Sequence, residues 1–196
     1  MLFAFEAEDA DLQQRAYSFL YCGSSHAIIA KIKEGGILMF RPIRRSKKAI
    51  SDEAAKALLL HEKRGIFAVN GDDGYPYAIP VNYFYDMENN KIYFHGAKAG
   101  HKIDSLKKSD KVCFTVYGNE RFAEGEWAPY LQSTVVFGRC HLIDDSEMTN
   151  ARVRELAARF YPTSQEIDAE MERSGRAVQL YEITIEHLSG KEIQEK

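Results

Sequence analysis

Residues 93–102, YFHGAKAGHK, hold the side chains of this chain best suited to meeting an anion. Gly96, Ala97, Ala99 and Gly100 leave the backbone open to close approach, and His95, His101 and Lys102 bracket them with hydrogen-bond donors and a fixed positive charge. The turn after KIYFHGA delivers Gly100, His101 and Lys102 to the start of a helix. Unpaired N–H groups and the positive end of the helix dipole favour an anion such as phosphate there. The same residues also suit a tight strand-to-helix connection with Lys102 solvated. Spacing alone does not choose, because neither a Walker lysine motif nor a G-x-G-x-x-G accompanies it. Strand alternation puts Tyr93 and His95 on one face and Phe94 on the other. Phe94 is therefore expected in a core. His95, with an ordinary pKa near ~6.5, is free either to donate a hydrogen bond or proton to a ligand or to hold a neighbouring strand.

The flanking elements must position these residues. SDEAAKALLLHEKRG reads as a helix, with Ser51 as its cap, Asp52 and Glu53 at the positive end of the dipole, and Gly65 as its stop. Ala55, Leu58 and Leu59 give it one buried face. IFAVN, YPYAIPVNYFY and KIYFHGA follow as strands joined by the turns GDDG and MENN, a meander of Asn/Asp/Gly turns. Pro76 and Pro80 cannot donate ladder hydrogen bonds, so their strand is expected at an edge or irregular. GHKIDSLKKSD is a short helix, KVCFTVYG a strand, NERFAEGEWAPYLQ a loop with aromatic anchors and STVVFGRCHLIDD a strand. SEMTNARVRELAARFYP reads as a helix capped by Ser146. In VQLYEITIEHLSGK, Tyr181, Ile183 and Ile185 alternate with Glu182, Thr184 and Glu186. Consecutive strands joined by short turns favour an antiparallel barrel with flanking helices, a mainly β fold, over a parallel α/β sheet.

Composition narrows the function classes. A net charge of -3 over 196 residues argues against a general nucleic-acid binder. No apolar run approaches the ~18 residues needed to span a bilayer. The start, MLFAFEAEDADLQQR, lacks a basic segment followed by an apolar one, so a cytoplasmic location is expected. Cys22, Cys113 and Cys140 are widely spaced and read as plain thiols. His26, His61, His141 and His187, like His95 and His101, show no paired metal spacing. RPIRRSKK is a solvated arm or a cover over a partner subunit's ligand. Trp127, Tyr130 and Phe122 are either a wall over a bound ring or anchors of their loop.

Read together, MFRPIRR, GDDGYPYAIPVNYFYD, KIYFHGAKAGHKIDSLKKSDKVCFTV, YLQSTVVFGR and IEHLSGKE resemble the pyridoxamine 5′-phosphate oxidase-like, FMN-binding split-barrel proteins. Within that superfamily they are most similar to the Nim-type nitroimidazole-resistance nitroreductases, over residues 39–192. The resemblance implies a homodimer with FMN in the crevice between subunits. It places Pro80, Val81 and Asn82 beside the flavin ring, and His95, Gly96 and Ala97 beneath the ribityl chain and phosphate. Gly100, His101 and Lys102 would hold the phosphate, with Ser133 near the flavin. The implied activity is FMN-dependent reduction of nitroimidazoles or other nitroaromatic acceptors, with NAD(P)H or another donor supplying electrons and His95 as the catalytic group. A flavin or haem carrier without turnover is the alternative, as is a flavoenzyme acting on an unrelated substrate. Pyridoxamine phosphate oxidases proper carry a basic pair where this chain has His101-Lys102, and end in a Trp- and Arg-containing segment. Here the one tryptophan is Trp127 and the chain ends GKEIQEK, so vitamin B6 oxidation is not expected.

The resemblance begins abruptly at Met39. Glu34, Gly35 and Gly36 can be encoded by codons containing a bacterial ribosome-binding sequence, with Ile37 and Leu38 as spacer. Residues 1–38 are therefore read as an extension, or a misplaced start, ahead of a 39–196 domain.

Overall fold

Among the described residues eight strands and four α-helices follow one another in the order β1 (Ala49–Ile50), α1 (Asp52–His61), β2 (Arg64–Asn70), β3 (Pro76–Asn82), β4 (Phe84–Asp86), β5 (Lys91–Ala97), α2 (His101–Lys108), β6 (Lys111–Arg121), β7 (Tyr130–Ile143), α3 (Ser146–Ala157), α4 (Ser164–Ser174) and β8 (Val178–Gln194). The computed structural model describes residues 40–194, so the expectation about residues 1–38, like Cys22 and His26, lies outside the described residues. One sheet runs β3-β2-β6-β7-β8-β5-β4, with β1 added on β8, and every pairing is antiparallel. The end strand β3 also contacts β5, so the sheet curls into a half-barrel. The fold is the expected mainly β split barrel with flanking helices.

The interior is aromatic. Phe67, Phe94 and Phe114 are fully buried, and Phe94 stacks on Tyr181 at 4.6 Å between ring centroids. Stacked and tilted aromatic pairs add about 0.5–1.5 kcal/mol beyond the area they bury. Helix α1 lays Ala55, Leu58 and Leu59 on this core. Ser51 caps it as expected, accepting from the Ala54 N–H. The helix ends at Glu62, however, and Gly65 lies inside β2 rather than stopping it. A Cβ on Gly65 would stand 2.3 Å from the Phe114 ring, so this glycine makes room in the core.

Pro76 and Pro80 lie on an edge strand, as their missing donors require. YPYAIPVNYFY is not one strand: Tyr83 separates β3 from β4, fully buried, and its hydroxyl donates to the Leu59 carbonyl at 2.6 Å. Strand β6 continues to Arg121, which shortens the expected loop to residues 122–129. Trp127 and Phe122 there are exposed rather than anchored, and Tyr130 is covered by Arg121 at 4.2 Å. Residues 41–48 are almost wholly exposed.

The cap of α3 is Asp145, not Ser146; its carboxylate accepts from the Glu147 and Met148 N–H groups. Helix α4 was not expected at all. Thr163 caps it by accepting from the Glu166 N–H, and the Thr163 hydroxyl also donates to the Glu166 carboxylate. Together α3 and α4 cover the outer face of β5 and β8, where Val153 and Met148 of α3 and Met171 of α4 pack with Tyr93 and Leu180.

The alternation in β8 does not separate buried from exposed as its sequence suggests. Glu182 is buried, accepting from the Lys91 ammonium and the Tyr93 hydroxyl, each at 2.8 Å. A register shift against β7 then opposes Phe137 to His187 but Gly138 to Ile185. This bulge moves the core-facing set from Tyr181 and Ile183 to Leu188.

Candidate functional site

Strand β5 is central because its two faces serve different surroundings. Phe94 packs in the barrel core and Tyr93 in the cluster under the helices, as alternation requires. Gly96 shares the inner side with Phe94. A Cβ built there would lie 3.0 Å from both Cε and Nζ of Lys102 and 3.3 Å from Tyr181 Cε2. The Lys102 ammonium thus lies over a bare stretch of backbone, 5.4 Å from the centroid of the Tyr181 ring. The Tyr181 hydroxyl donates to the Ala97 carbonyl at 3.0 Å and holds the end of the strand.

Gly100 caps α2 with φ 119°, in the region that favours glycine, and offers no side chain to the first N–H groups of the helix. A cradle of small residues, a helix start without a side-chain cap and a lysine over the gap suit a phosphate group. His101 turns elsewhere. Its ring stacks on Tyr77 at 4.1 Å, and Nε2 lies 3.5 Å from Asp72 Oδ2 in the β2–β3 turn. Lys108 joins the same carboxylate, and its hydrogen bond and charge hold the Asp72 carboxyl below its usual range. His101 therefore braces the cradle from the side.

His95 points the other way, to the outer face. With Asn82 from β3 it lines a cavity of about 360 Å³ whose other walls come largely from α3 and α4. Burial lowers the His95 pKa, and the charge of Glu170 partly opposes that shift. Burial thus favours the neutral ring, which carries one N–H donor and one acceptor nitrogen. Asn82 and His95 are brought together, as are Gly96 and Lys102.

Pro80 and Ser133 lie on the outer face of the sheet too, at a distance set by the intervening strands. Pro80 pairs with Ile66, Ile66 with Thr115 and Thr115 with Val135. Ser133 pairs with Tyr117 and Lys191 in the next outward row. Val81 instead packs against the core. Outer-facing Ala68, Ile66 and Val135 are only half-buried, and Tyr117 and Phe137 are exposed, so this sheet face carries several accessible apolar side chains among polar ones such as Thr115 and Ser133.

Other titratable groups are structural. Asp86 is buried, yet hydrogen bonds from Asn89 and the charge of Arg152 outweigh that burial and hold its carboxyl low. Arg152, 3.1 Å from Asp86, ties α3 to the β4–β5 hairpin. Cys113 and Cys140 are free thiols whose pKa values burial raises, which suits inert packing. His61 is exposed at the end of α1. Among the described residues no cluster could hold a metal ion.

This fold, with its small-residue cradle at the start of α2, defines a split barrel. The chain belongs to the pyridoxamine 5′-phosphate oxidase family, whose sequence profile matches residues 51–192. Solved structures share the architecture. A candidate 5-nitroimidazole antibiotic resistance protein from Bacteroides thetaiotaomicron is 18% identical with TM-score 0.63, over 74% of this chain and 87% of its own. A FAD-binding protein from Mesorhizobium loti is 21% identical with TM-score 0.56, over 74% and 97%. A FAD- and haem-binding protein from Mycobacterium smegmatis is 19% identical with TM-score 0.59, over 76% and 74%. At such identities the likeness is one of fold. No curated protein matches the chain significantly.

Proposed function

We propose that the protein is an FMN-dependent oxidoreductase that reduces nitroimidazoles or other small nitroaromatic acceptors. The observation that carries this reading is the Lys102 ammonium suspended over Gly96, where a single Cβ would fill the space. Lys102 and the N–H groups beside Gly100 would hold the phosphate, while Pro80 and Asn82 line the ring edge. Bound flavin supplies two-electron exchange, which no side chain of this chain can provide, with NAD(P)H as the replenishing donor. Reduction of a nitro group to a nitroso group consumes two electrons and two protons and releases water. The His95 N–H can hydrogen-bond a nitro oxygen and favour the charge that develops there. We assign the active form as a homodimer, joined through the outer face of β2, β6 and β7.

The test begins with the purified protein. Flavin extracted from it should be FMN, NADH or NADPH should bleach the bound flavin, and a nitroimidazole should restore its colour. A second reading is a flavin carrier without turnover, favoured by the relatives described as FAD-binding proteins. Extracted FAD, together with no reduction by either nicotinamide, would support that reading over ours.

A further inference from the structure

The cavity between the sheet and the α3–α4 pair has a composition that selects what can enter it. Its size, about 360 Å³, lies at the small end of the ~300–1,000 Å³ range typical of ligand pockets. Val153, Leu156 and Ile167 are buried in its walls, and Phe160 and Met171 complete the apolar lining. The sheet contributes two hydrogen-bonding side chains to the lining, Asn82 and His95, with Tyr161 and Ser174 as further polar groups, and His95 has no hydrogen-bond partner among the described residues. Asn82 also ends the β3 segment that lines the ring edge in the reading above, so the pocket and that segment share a residue.

Among the described residues lining the pocket, Glu170 is the one with a formal charge at neutral pH. Its carboxylate is close enough to act on the His95 ring. Arg173 pairs with Glu170, but its side chain is 76% exposed and does not line the cavity. Among the described lining residues an anion would therefore meet a carboxylate and no cation. An uncharged molecule would meet apolar walls and a few neutral polar groups, Asn82 and His95 among them.

We propose that this cavity is the acceptor-binding site, that it takes small uncharged, largely apolar molecules with a hydrogen-bond-accepting group directed at His95 and Asn82, and that Glu170 excludes anions. This inference rests on the oxidoreductase reading for the word acceptor, while the binding preference stands on the cavity alone.

Two probes of nearly equal shape separate charge from fit: 4-nitrobenzamide, which is neutral, and 4-nitrobenzoate. Calorimetric titration of the full chain as purified should show the amide binding at least about tenfold tighter than the carboxylate. Glu170→Gln should shrink that ratio by about threefold or more, the size of one partly screened charge pair. Ala157→Trp, which fills the cavity from the end of α3, should weaken the amide at least about tenfold with an unchanged melting transition. Equal affinities for the two probes, an unchanged ratio in Glu170→Gln, or undiminished amide binding in folded Ala157→Trp would overturn the proposal. Flavin content and turnover of the unmodified protein, measured beside the probe titrations, separate the two readings. If flavin is absent or never reduced but the charge preference persists, the oxidoreductase reading fails and the pocket stands. If flavin binds and turns over while Ala157→Trp leaves amide affinity intact, the pocket fails alone.

Discussion

Removing the Lys102 ammonium tests the cradle directly. A lysine–phosphate contact is a charge-assisted hydrogen bond worth roughly 1.5–3 kcal/mol. Lys102→Ala should therefore weaken FMN by about ten- to a hundredfold. The geometry also supplies a second route to the same loss. Gly96→Ala would place a methyl group 3.0 Å from Cε and Nζ of Lys102 and 3.3 Å from Tyr181 Cε2. Carbon contacts settle near ~3.5–4.0 Å, so the lysine tip must give way by about half an ångström or more. That displacement costs the fold little because the tip is flexible, but it can carry the ammonium out of hydrogen-bonding range of a bound phosphate. If both substitutions act on one contact, Gly96→Ala should matter much less once Lys102 is already alanine, giving a coupling of about 1 kcal/mol or more. Fluorescence titration of the apoprotein measures all four affinities. Riboflavin, which lacks the phosphate, should bind the four proteins alike. FMN affinity unchanged in Lys102→Ala, or riboflavin lost in parallel with FMN, would refute the phosphate assignment.

Four further outcomes follow from the same geometry. His95→Gln should keep FMN and its reduction by donor, yet slow reoxidation of pre-reduced protein by a nitroimidazole at least ~10-fold in rapid mixing, whereas equal rates would leave His95 a scaffold residue. Because burial depresses the His95 pKa, the unfolded chain takes up a proton at this site below pH ~6.5 while the folded chain resists. Stability should fall as pH drops from ~6.5 towards the folded pKa, and denaturant titrations of His95→Gln should show a shallower fall. Val135→Asp on the outer sheet face should convert a sedimenting dimer into monomer with flavin lost, whereas a wild-type monomer that holds flavin at micromolar concentration would defeat the dimer assignment. A chain starting at Met39 should fold and bind FMN normally, since the family match begins at residue 51; loss of solubility or flavin would assign residues 1–38 to the domain.

Features governed by local chemistry were legible in the sequence. Edge placement of β3 follows from two prolines, the Ser51 cap from its hydroxyl, and the opposite facing of Phe94 and His95 from strand period. Gly65 misled because glycine after a helical run is a common stop signal, while its actual task, admitting the Phe114 ring, depends on a strand far along the chain. Asp145 and Ser146 are both good caps, and in the fold it is Asp145 that stays extended and accepts from the Glu147 and Met148 N–H groups. The missed helix α4 did carry a local signature, Thr163 followed three residues later by Glu166. Its exposed, charged face weakened the hydrophobic period that would have drawn notice.

The site divides along the same line. Small residues before a lysine suggested an anion, and the approach of Lys102 to Gly96 arises within one strand, turn and helix, with Tyr181 of β8 as its distant support. The His95 pocket joins β3, β5, α3 and α4, and its selectivity rests on Glu170, 75 residues beyond the histidine it acts on. Periodicity could say that His95 left the core but not what it would meet. What it meets was decided by β8. Pairing with β5 on one side and β7 on the other, β8 fixes Leu180 and Glu182 on the face that α3 and α4 cover. Glu182 is buried there only because Lys91 and Tyr93 satisfy both its oxygens. A carboxylate that reads as a solvent-facing residue in the alternation of β8 thus helps seat the helices that enclose the pocket, and losing one of its partners would leave a buried charge costing several kcal/mol, roughly. The electrostatics beneath α3 and the cavity beside it are one construction, so substitutions at Glu182 should disturb probe binding in the pocket while leaving the Lys102 cradle on the opposite side of β5 intact.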